Sequence, residues 1–276
     1  MSQYPNPPAS YASAEPERLG PGAVPVVADV PYYGDAPPDE YAATQCRLDV
    51  YRPAIESYPT LVFFHGGGLV EGCTRQDAEF LAGPLTRAGV GVVMVSYRVY
   101  PRAACPAFLH DAAAAVAWAL RNIVRYGGDA ARVFVGGHSA GAYLAAMVGL
   151  DARYLQTFGC RLDQVAGLLP VSGQMVTHAR IREDRGLPQW VVEVDELAPL
   201  RHVRPDAPPT LLIVGENDMP ARAEENLLMA AMLESAGRED IRCMVVPGRE
   251  HVDVITRAVE PGDPVAAAIL EFIKTH

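Results

Sequence analysis

The sequence VFVGGHSAGAYLAA, residues 133–146, joins an apolar, β-rich run directly to an alanine-rich run typical of a helix. Ser139 lies at the junction, with Gly137 two residues before it and Gly141 two residues after it. Both glycines lack a Cβ where strand and helix crowd together, so the serine between them can adopt a strained conformation with its oxygen exposed. The stretch therefore predicts a strand, a sharp turn and a helix, with Ser139 as a candidate nucleophile. A helix-capping serine is the alternative interpretation.

The same alternation continues on both sides of this stretch. Short runs rich in β-branched residues lie at 60–64, 89–97, 132–137, 165–173, 210–216 and 241–248. Helical patterns separate most of them, at 75–88, 106–126, 140–150, 221–236 and 264–274. Nearly continuous apolar strands that alternate with helices indicate a parallel sheet covered on both faces. We therefore predict an α/β fold with a mostly parallel sheet of about eight strands and helices on both faces.

The N-terminal part of the chain differs from the rest. Residues 1–40 contain nine prolines, too many for a regular element, which predicts an irregular arm ahead of one domain at 41–276. Within the arm, VPVVADVPYYG (24–34) suits an edge strand, where prolines are tolerated.

The first pattern of the domain is also strand-like. The stretch CRLDVYRP, residues 46–53, alternates inward-facing and outward-facing residues, namely Leu48 and Val50 against Arg47, Asp49 and Tyr51. This alternation predicts a half-buried strand. Because no helix separates the two early strands, we expect the sheet to start antiparallel.

Residues 174–205 interrupt the alternation with a long stretch of mixed charge and little periodicity. They follow a predicted strand end, which is the edge where α/β sheets bind ligands. We therefore predict a small cap-like insertion over that edge, with a plain surface excursion as an equal alternative. Two of its residues, Gln174 and Trp190, are candidates for contact with a substrate.

A serine nucleophile needs a base that is oriented by an acid. Asp218 follows the predicted strand at 210–216, and His251 follows the one at 241–248. Parallel strands share a carboxyl edge, so both side chains are expected at the same edge as Ser139. The chain order serine, aspartate, histidine is that of α/β hydrolases.

The other acids and histidines are less well placed for these roles. Asp195, His178 and His202 lie in the irregular insertion, and Asp206 follows it. Glu216 belongs to the end of a predicted strand, His110 lies near the start of a predicted helix, and His276 is the last residue. No HExxH motif or clustered partner accompanies the pair in HVD at 251–253, so we predict no metal site.

A glycine-rich stretch supplies candidate donors for an oxyanion. In LVFFHGGGLVEG (61–72), three consecutive glycines follow a strand and present backbone N–H groups without side chains. Gly67 and Gly68 are the predicted donors together with Ala140, although the sequence does not decide which two of the three glycines at 66–68 point inward. His65 is expected to orient the loop by hydrogen bonding. A phosphate-binding loop is excluded, because no lysine follows these glycines.

Composition and charge exclude several classes of protein. The net charge of −10 argues against a nucleic-acid groove, which needs a basic face. Five widely spaced cysteines without a CxxC motif predict reduced, buried thiols. The first residues have no apolar core of a signal peptide, and no stretch is long and apolar enough to span a membrane. These features predict a cytoplasmic protein without a membrane span.

Taken together, the motifs resemble a known family. HGGG at 65–68, Tyr97-Arg98 followed by Pro101, GHSAG at 137–141, Asp218 and His251 are similar to the motifs of hormone-sensitive-lipase-like esterases. They are equally similar to the small carboxylesterases and kynurenine-formamidase-like hydrolases of the α/β-hydrolase superfamily. The resemblance covers roughly residues 45–275.

The resemblance implies an α/β-hydrolase fold and a serine hydrolase that acts on a small-molecule carboxylic ester, with a Ser139–His251–Asp218 triad, no metal and no organic cofactor. A modest pocket favours short acyl chains. Many relatives have an aromatic residue after the oxyanion glycines, whereas this chain has Leu69, which we expect at the wall of the acyl pocket. An arylformamidase or amidase using the same residues is one alternative. The other is a member of the fold that binds a small ligand without converting it.

Overall fold

A computed structural model describes residues 27–188 and 190–276 of the chain. Within them, eight strands form a single sheet: β1 (Val27–Pro31), β2 (Arg47–Tyr51), β3 (Tyr58–Phe64), β4 (Gly91–Val95), β5 (Gly128–His138), β6 (Gly167–Val171), β7 (Thr210–Asn217) and β8 (Ile241–Glu250). Their order across the sheet is β1-β2-β4-β3-β5-β6-β7-β8. Strands β3 to β8 pair in parallel, while β2 pairs antiparallel with both β1 and β4. The prediction of a mostly parallel sheet with an antiparallel start is confirmed.

The described α-helices are α1 (Glu40–Gln45), α2 (Ala82–Arg87), α3 (Ala107–Asn122), α4 (Ala140–Leu150), α5 (Ala152–Thr157), α6 (Ala179–Asp184), α7 (Arg222–Ser235), α8 (Asp253–Thr256) and α9 (Pro264–Thr275). The five predicted helical segments all contain helix. Two of them include 3₁₀ turns, at Arg75–Leu81 before α2 and at Ile123–Tyr126 after α3. The short α1 is a helix that the sequence pattern missed; the Asp39 carboxylate caps it by accepting a hydrogen bond from the Ala42 amide at 2.7 Å.

The sheet separates two hydrophobic cores. Alternate residues of the central strands point to opposite sides: Val62 and Phe64 join the core that contains α3 and α4, whereas Leu61 and Phe63 join the core that contains α9. Both faces of the sheet are therefore covered, which explains why the central strands read as nearly continuous apolar runs.

The predicted half-buried pattern of β2 is wrong. Asp49 and Tyr51 are 5% and 4% exposed, although the alternation placed them toward solvent. The 3₁₀ turn Arg75–Leu81 covers this second face: the Arg75 Nε lies 2.7 Å from an Asp49 carboxylate oxygen, and Tyr51 packs in the same cluster as Leu81. A buried carboxylate is tolerated here because it is paired.

The predicted N-terminal arm divides into two parts. Residues 1–26 lie outside the described residues. Residues 27–31 form β1 at one edge of the sheet, as expected for the proline-containing stretch, and Tyr32 anchors the following turn because its hydroxyl donates to the Ser96 carbonyl at 3.0 Å.

In the described part of the segment 174–205, the helical elements are α6 and a 3₁₀ turn at Pro199–His202. It is tied to the main body at several points. The Tyr143 hydroxyl of α4 donates to the Leu197 carbonyl at 2.7 Å, and the Arg180 guanidinium lies 4.2 Å from the centre of the Tyr100 ring. The segment thus packs against α4 and the loop that follows β4.

Two further observations concern the whole described chain. None of its helices combines the length and the apolar character that crossing a membrane would require. Cys46, Cys73 and Cys160 are buried, whereas Cys105 and Cys243 are only half-buried and so depart from the prediction of buried thiols.

Candidate active site

Ser139 occupies a strained turn between β5 and α4. Its backbone has φ 55° and ψ −116°, a conformation that non-glycine residues rarely adopt. The flanking glycines make the turn possible: a Cβ on Gly137 would meet the backbone of Gly141, and a Cβ on Gly141 would meet the carbonyl oxygen of Phe64. The turn therefore holds the serine at the carboxyl edge of the sheet, as the opening motif predicts.

Ser139, His251 and Asp218 form one chain of hydrogen bonds. The Ser139 Oγ lies 2.8 Å from the His251 Nε2, and the His251 Nδ1 lies 2.6 Å from the Asp218 Oδ1. A carboxylate can only accept, so Nδ1 carries the imidazole proton and Nε2 is left to accept the serine hydroxyl. The structure brings these three residues together although 112 positions separate Ser139 from His251.

Asp218 has a second partner that the sequence did not indicate. The hydroxyl of Ser172, a fully buried residue, donates to the Asp218 Oδ2 at 2.5 Å, and the Met219 amide donates to Oδ1 at 2.7 Å. Burial raises the pKa of Asp218, but the hydrogen bonds from His251, Ser172 and Met219 outweigh burial and hold the pKa below its ordinary value. The carboxylate is therefore ionised and fixed in orientation.

Ser172 is itself held firmly at the end of β6. Its φ is 55°, its amide donates to the Ile213 carbonyl at 2.7 Å, and its carbonyl accepts from the Arg222 Nη1 at 2.9 Å. Ser172 and Arg222 are thus residues of the site that motif spacing missed. One signal was present: Ser172 lies at the end of the predicted strand 165–173, which is the predicted strand preceding the one before Asp218.

The glycine loop after β3 packs directly over the serine. A Cβ on Gly66 would lie 3.4 Å from the Ser139 Cβ, so this glycine allows the close approach. The next three residues, Gly67, Gly68 and Leu69, have φ values of 108°, 66° and 64°. Within residues 27–188 and 190–276, the amides of Gly67 and Gly68 donate to no protein acceptor. Two donors are thus left available beside the serine.

His65 holds the base of this loop. Its Nδ1 donates to the Gly66 carbonyl at 2.7 Å, its ring stacks on Tyr97 at 4.4 Å, and the Tyr97 hydroxyl donates to the His65 carbonyl at 2.7 Å. Burial lowers the pKa of His65 to about 4, so its imidazole is neutral at physiological pH. These contacts agree with an orienting role for His65.

The alternative acids lie away from the serine and have other partners. Asp195 accepts from Thr177 and Arg185, Asp206 pairs with Arg204, and Glu216 accepts from the Gly248 amide.

The alternative histidines are also engaged elsewhere. His178 caps α6 by accepting from the Arg180 amide, His202 donates to the Glu196 carbonyl, His110 packs against Tyr154, and His276 packs against Phe272 at the chain end.

The three predicted substrate contacts lie in different environments. Leu69 is fully buried in the core, and its carbonyl accepts from the Tyr100 amide. Gln174 is 7% exposed and its side chain accepts from the Ala179 amide, whereas Trp190 is 83% exposed. Among the described residues, no group of three or more His, Cys, Asp or Glu side chains has metal-binding geometry.

Comparison with known proteins gives a consistent result. A family model described as the alpha/beta hydrolase fold matches residues 61–254. Esterase LipC of Mycobacterium tuberculosis is 28% identical over 87% of this chain and 63% of LipC, and esterase LipQ of the same organism is 28% identical over 78% of this chain and 55% of LipQ. The chain thus spans less than two thirds of the length of either relative.

A solved structure shows the same architecture. The esterase of Pyrobaculum calidifontis superposes with a TM-score of 0.71 and 25% sequence identity, covering 92% of this chain and 86% of that chain. The match of the family model extends over the glycine loop, the serine turn and the loop that carries His251. The chain therefore belongs to the alpha/beta hydrolase family and, within it, to the hormone-sensitive-lipase-like group.

Proposed function

We propose that this protein hydrolyses carboxylic esters through an acyl-enzyme formed on Ser139. The observation that carries the proposal is the hydrogen-bond chain from the Ser139 Oγ through His251 to Asp218, with lengths of 2.8 Å and 2.6 Å. Two independent features support it: the strained turn exposes the serine, and the relatives LipC and LipQ are esterases.

The proposed reaction has two steps, acylation and deacylation, and Ser139, His251 and Asp218 take part in both. Ser139 attacks the ester carbonyl while the His251 Nε2 takes the hydroxyl proton, and Asp218 stabilises the imidazolium that forms. His251 then gives this proton to the leaving alcohol as the tetrahedral intermediate collapses to the acyl-enzyme. Water repeats the sequence on the acyl-enzyme and releases the carboxylic acid.

The oxyanion of the tetrahedral intermediate is proposed to bind the amides of Gly67, Gly68 and Ala140. Ala140 is the first residue of α4, where backbone N–H groups lack intrahelical partners and the helix dipole favours negative charge. The amides of Gly67 and Gly68 come from the loop that packs on Ser139. Removing one donor of this kind typically costs about 10²- to 10³-fold in kcat.

The two loop glycines predict different effects of added side chains. A Cβ on Gly67 would lie 2.8 Å from the Cys73 Cβ, so Gly67→Ala must displace the loop; a Cβ on Gly68 would meet nothing within 4 Å. We expect Gly67→Ala to lower kcat about 100-fold and Gly68→Ala less than about fivefold, because alanine is strained at both positive φ values but only Gly67→Ala adds a collision with Cys73. Hydrolysis of nitrophenyl acetate measures both effects.

The matched control removes the clash from the other side. Adding Cys73→Gly to Gly67→Ala takes away the colliding Cβ and should restore part of the lost rate, because the strain of an alanine at φ 108° remains. Equal losses in the two single variants, or no recovery in the double variant, would contradict the assignment of Gly67.

The substrate is proposed to be a small ester with a short acyl chain. The turn after β6 is tightly packed beside the serine helix, since a Cβ on Gly173 would lie 2.9 Å from both the Ala142 Cβ and the Met175 Cε. We propose that the segment 174–205 acts as a small cap, and that Leu69, Gln174 and Trp190 contact the substrate. The cytoplasmic location stays a prediction.

A panel of chromogenic substrates tests this function. We expect nitrophenyl acetate and butyrate to be cleaved with kcat/KM about tenfold or more above that of the octanoate, because each methylene that cannot be accommodated costs transition-state binding. A nitroanilide and an aryl formamide of similar size are the comparison substrates. Faster cleavage of the formamide than of every ester would replace the ester assignment by the formamidase alternative.

A further inference from the structure

His138, the residue immediately before the serine, has its own contact with His251. The Nε2 of His138 lies 2.7 Å from the backbone carbonyl oxygen of His251, and the two rings lie 4.9 Å apart at 42°. A carbonyl oxygen only accepts, so the His138 Nε2–H donates this bond. His138 is 2% exposed, which protects the bond from competition by water.

The protonation state of His138 suits a fixed donor. Burial, together with the nearby charge of His251, lowers the pKa of His138 to about 3. The ring is therefore neutral over the working range of an esterase and carries a single N–H, at Nε2. It donates a hydrogen bond to the His251 backbone without placing a positive charge beside the base.

This hydrogen bond connects the ends of two strands that are not neighbours in the sheet. Ser139 follows β5 and His251 follows β8, and the strand order places β6 and β7 between these two strands. Among the described strands β5 and β8 are therefore not directly paired, and the sheet links the loop of His251 to the serine turn only through two intervening strands. The His138 bond joins the two directly, one residue from the nucleophile, and it reaches the main chain of His251 rather than its ring.

Further contacts hold the residues on either side of His251. The Arg249 guanidinium donates to the Asp253 carbonyl at 2.9 Å and pairs with Asp263 at the start of α9. The Glu250 amide donates to the Asp253 carboxylate at 2.5 Å. These contacts fold the loop upon itself and onto α9, whereas His138 connects it to β5.

We propose that His138 is a positioning residue that holds His251 at proton-transfer distance from Ser139 by binding its backbone carbonyl. This inference rests on the proposed function, since it assigns a role within the same hydrolytic reaction. His138 does not touch the reacting atoms, and its effect is transmitted through the placement of His251.

Two amide side chains of different length test the geometry of this hydrogen bond. A glutamine at 138 can place its Nε2 donor near the position of the histidine Nε2, whereas an asparagine reaches only as far as the histidine Nδ1. His138→Leu keeps a similar volume but removes the donor and leaves the buried His251 carbonyl without this partner. If position 138 required only a polar side chain that fills space, His138→Gln and His138→Asn would have similar values of kcat.

We expect His138→Leu and His138→Asn to lower kcat for nitrophenyl acetate by about 10- to 100-fold, because small misplacements of a catalytic group have effects of this size. KM should stay within about twofold, since His138 binds no substrate. His138→Gln should retain kcat within about threefold of the parent. The rate constant for phosphonylation of Ser139 by an organophosphate should fall in parallel, because this reaction also needs the base.

Controls separate the failure of this proposal from the failure of the function. His276→Leu removes a histidine that also lies within hydrogen-bond distance of a backbone carbonyl, that of Phe272 at 3.0 Å, and should leave kcat unchanged. Far-ultraviolet circular dichroism and thermal melts establish that each variant is folded. If Ser139→Ala is inactive while His138→Leu matches the parent, or if asparagine replaces His138 as well as glutamine does, the positioning role is wrong. Residual full activity in Ser139→Ala would instead overturn the proposed function itself.

Discussion

Replacing Ser139 by alanine is expected to remove ester hydrolysis almost completely, with kcat lowered about 10⁴- to 10⁶-fold. The substitution removes the hydroxyl oxygen that lies 2.8 Å from the His251 Nε2, while the residual rate comes from the oxyanion donors and from substrate binding. Hydrolysis of nitrophenyl acetate by purified parent and variant measures the effect.

Covalent labelling tests the same assignment of Ser139 without a measurement of turnover. An organophosphate should add its mass to the peptide that contains Ser139 in the parent and to no peptide in Ser139→Ala, because only an activated serine reacts with it. A parent that binds small esters but is neither labelled nor active would be the ligand-binding member of the fold. Unchanged hydrolysis by the alanine variant would place the nucleophile elsewhere.

The second large effect concerns Asp218. We expect Asp218→Asn to lower kcat about 10⁴-fold with the fold intact, because an amide can donate to the His251 Nδ1 and so stabilise the wrong tautomer of the imidazole. The wrong tautomer carries its proton on Nε2 and cannot accept one from Ser139. The carboxylate is bonded to His251 on Oδ1 and to Ser172 on Oδ2, so the asparagine amide has no orientation that reproduces both contacts.

The same variant has a defined effect on stability against pH. The folded-state pKa of Asp218 is lowered, so the carboxylate contributes stability that is present above the unfolded pKa of about 3.9 and is lost as pH falls through the folded value. The difference in unfolding free energy between parent and Asp218→Asn should therefore be largest near pH 6 to 7, roughly constant down to about pH 5, and smaller at about pH 3. Urea unfolding at these pH values measures it. A difference that grows toward acid pH would contradict the assigned direction of the pKa.

Local patterns were sufficient for much of the architecture. The apolar runs and helical stretches predicted the parallel strands and the long helices, because burial on both faces of a sheet leaves a direct record in composition. The pattern failed at β2, where the alternation of Leu48 and Val50 with Asp49 and Tyr51 suggested one solvent face. That face is covered by the turn Arg75–Leu81, a segment remote in sequence, so no local pattern could report it.

The candidate site was likewise predictable from the sequence only in part. The glycines around Ser139 and in HGGG could be interpreted from sequence because their effect is local: they remove side chains from a sharp turn and a close approach. The placement of Ser139, Asp218 and His251 at one edge followed from the shared carboxyl edge of parallel strands. Ser172 and His138 were not identified, since a serine after a strand and a histidine before a nucleophile have many possible partners.

The sequence by itself therefore determined the strand–turn–helix at Ser139, the glycine loop, and the edge of the sheet at which the candidate residues lie. Only the tertiary structure decided that the Ser172 hydroxyl meets Asp218 and that the His138 imidazole meets the backbone of His251. The physical reason is the range of the interactions. Turn sterics and burial patterns act within a few residues, whereas a hydrogen bond between loops on separate strands depends on strand order, register and packing of the whole sheet.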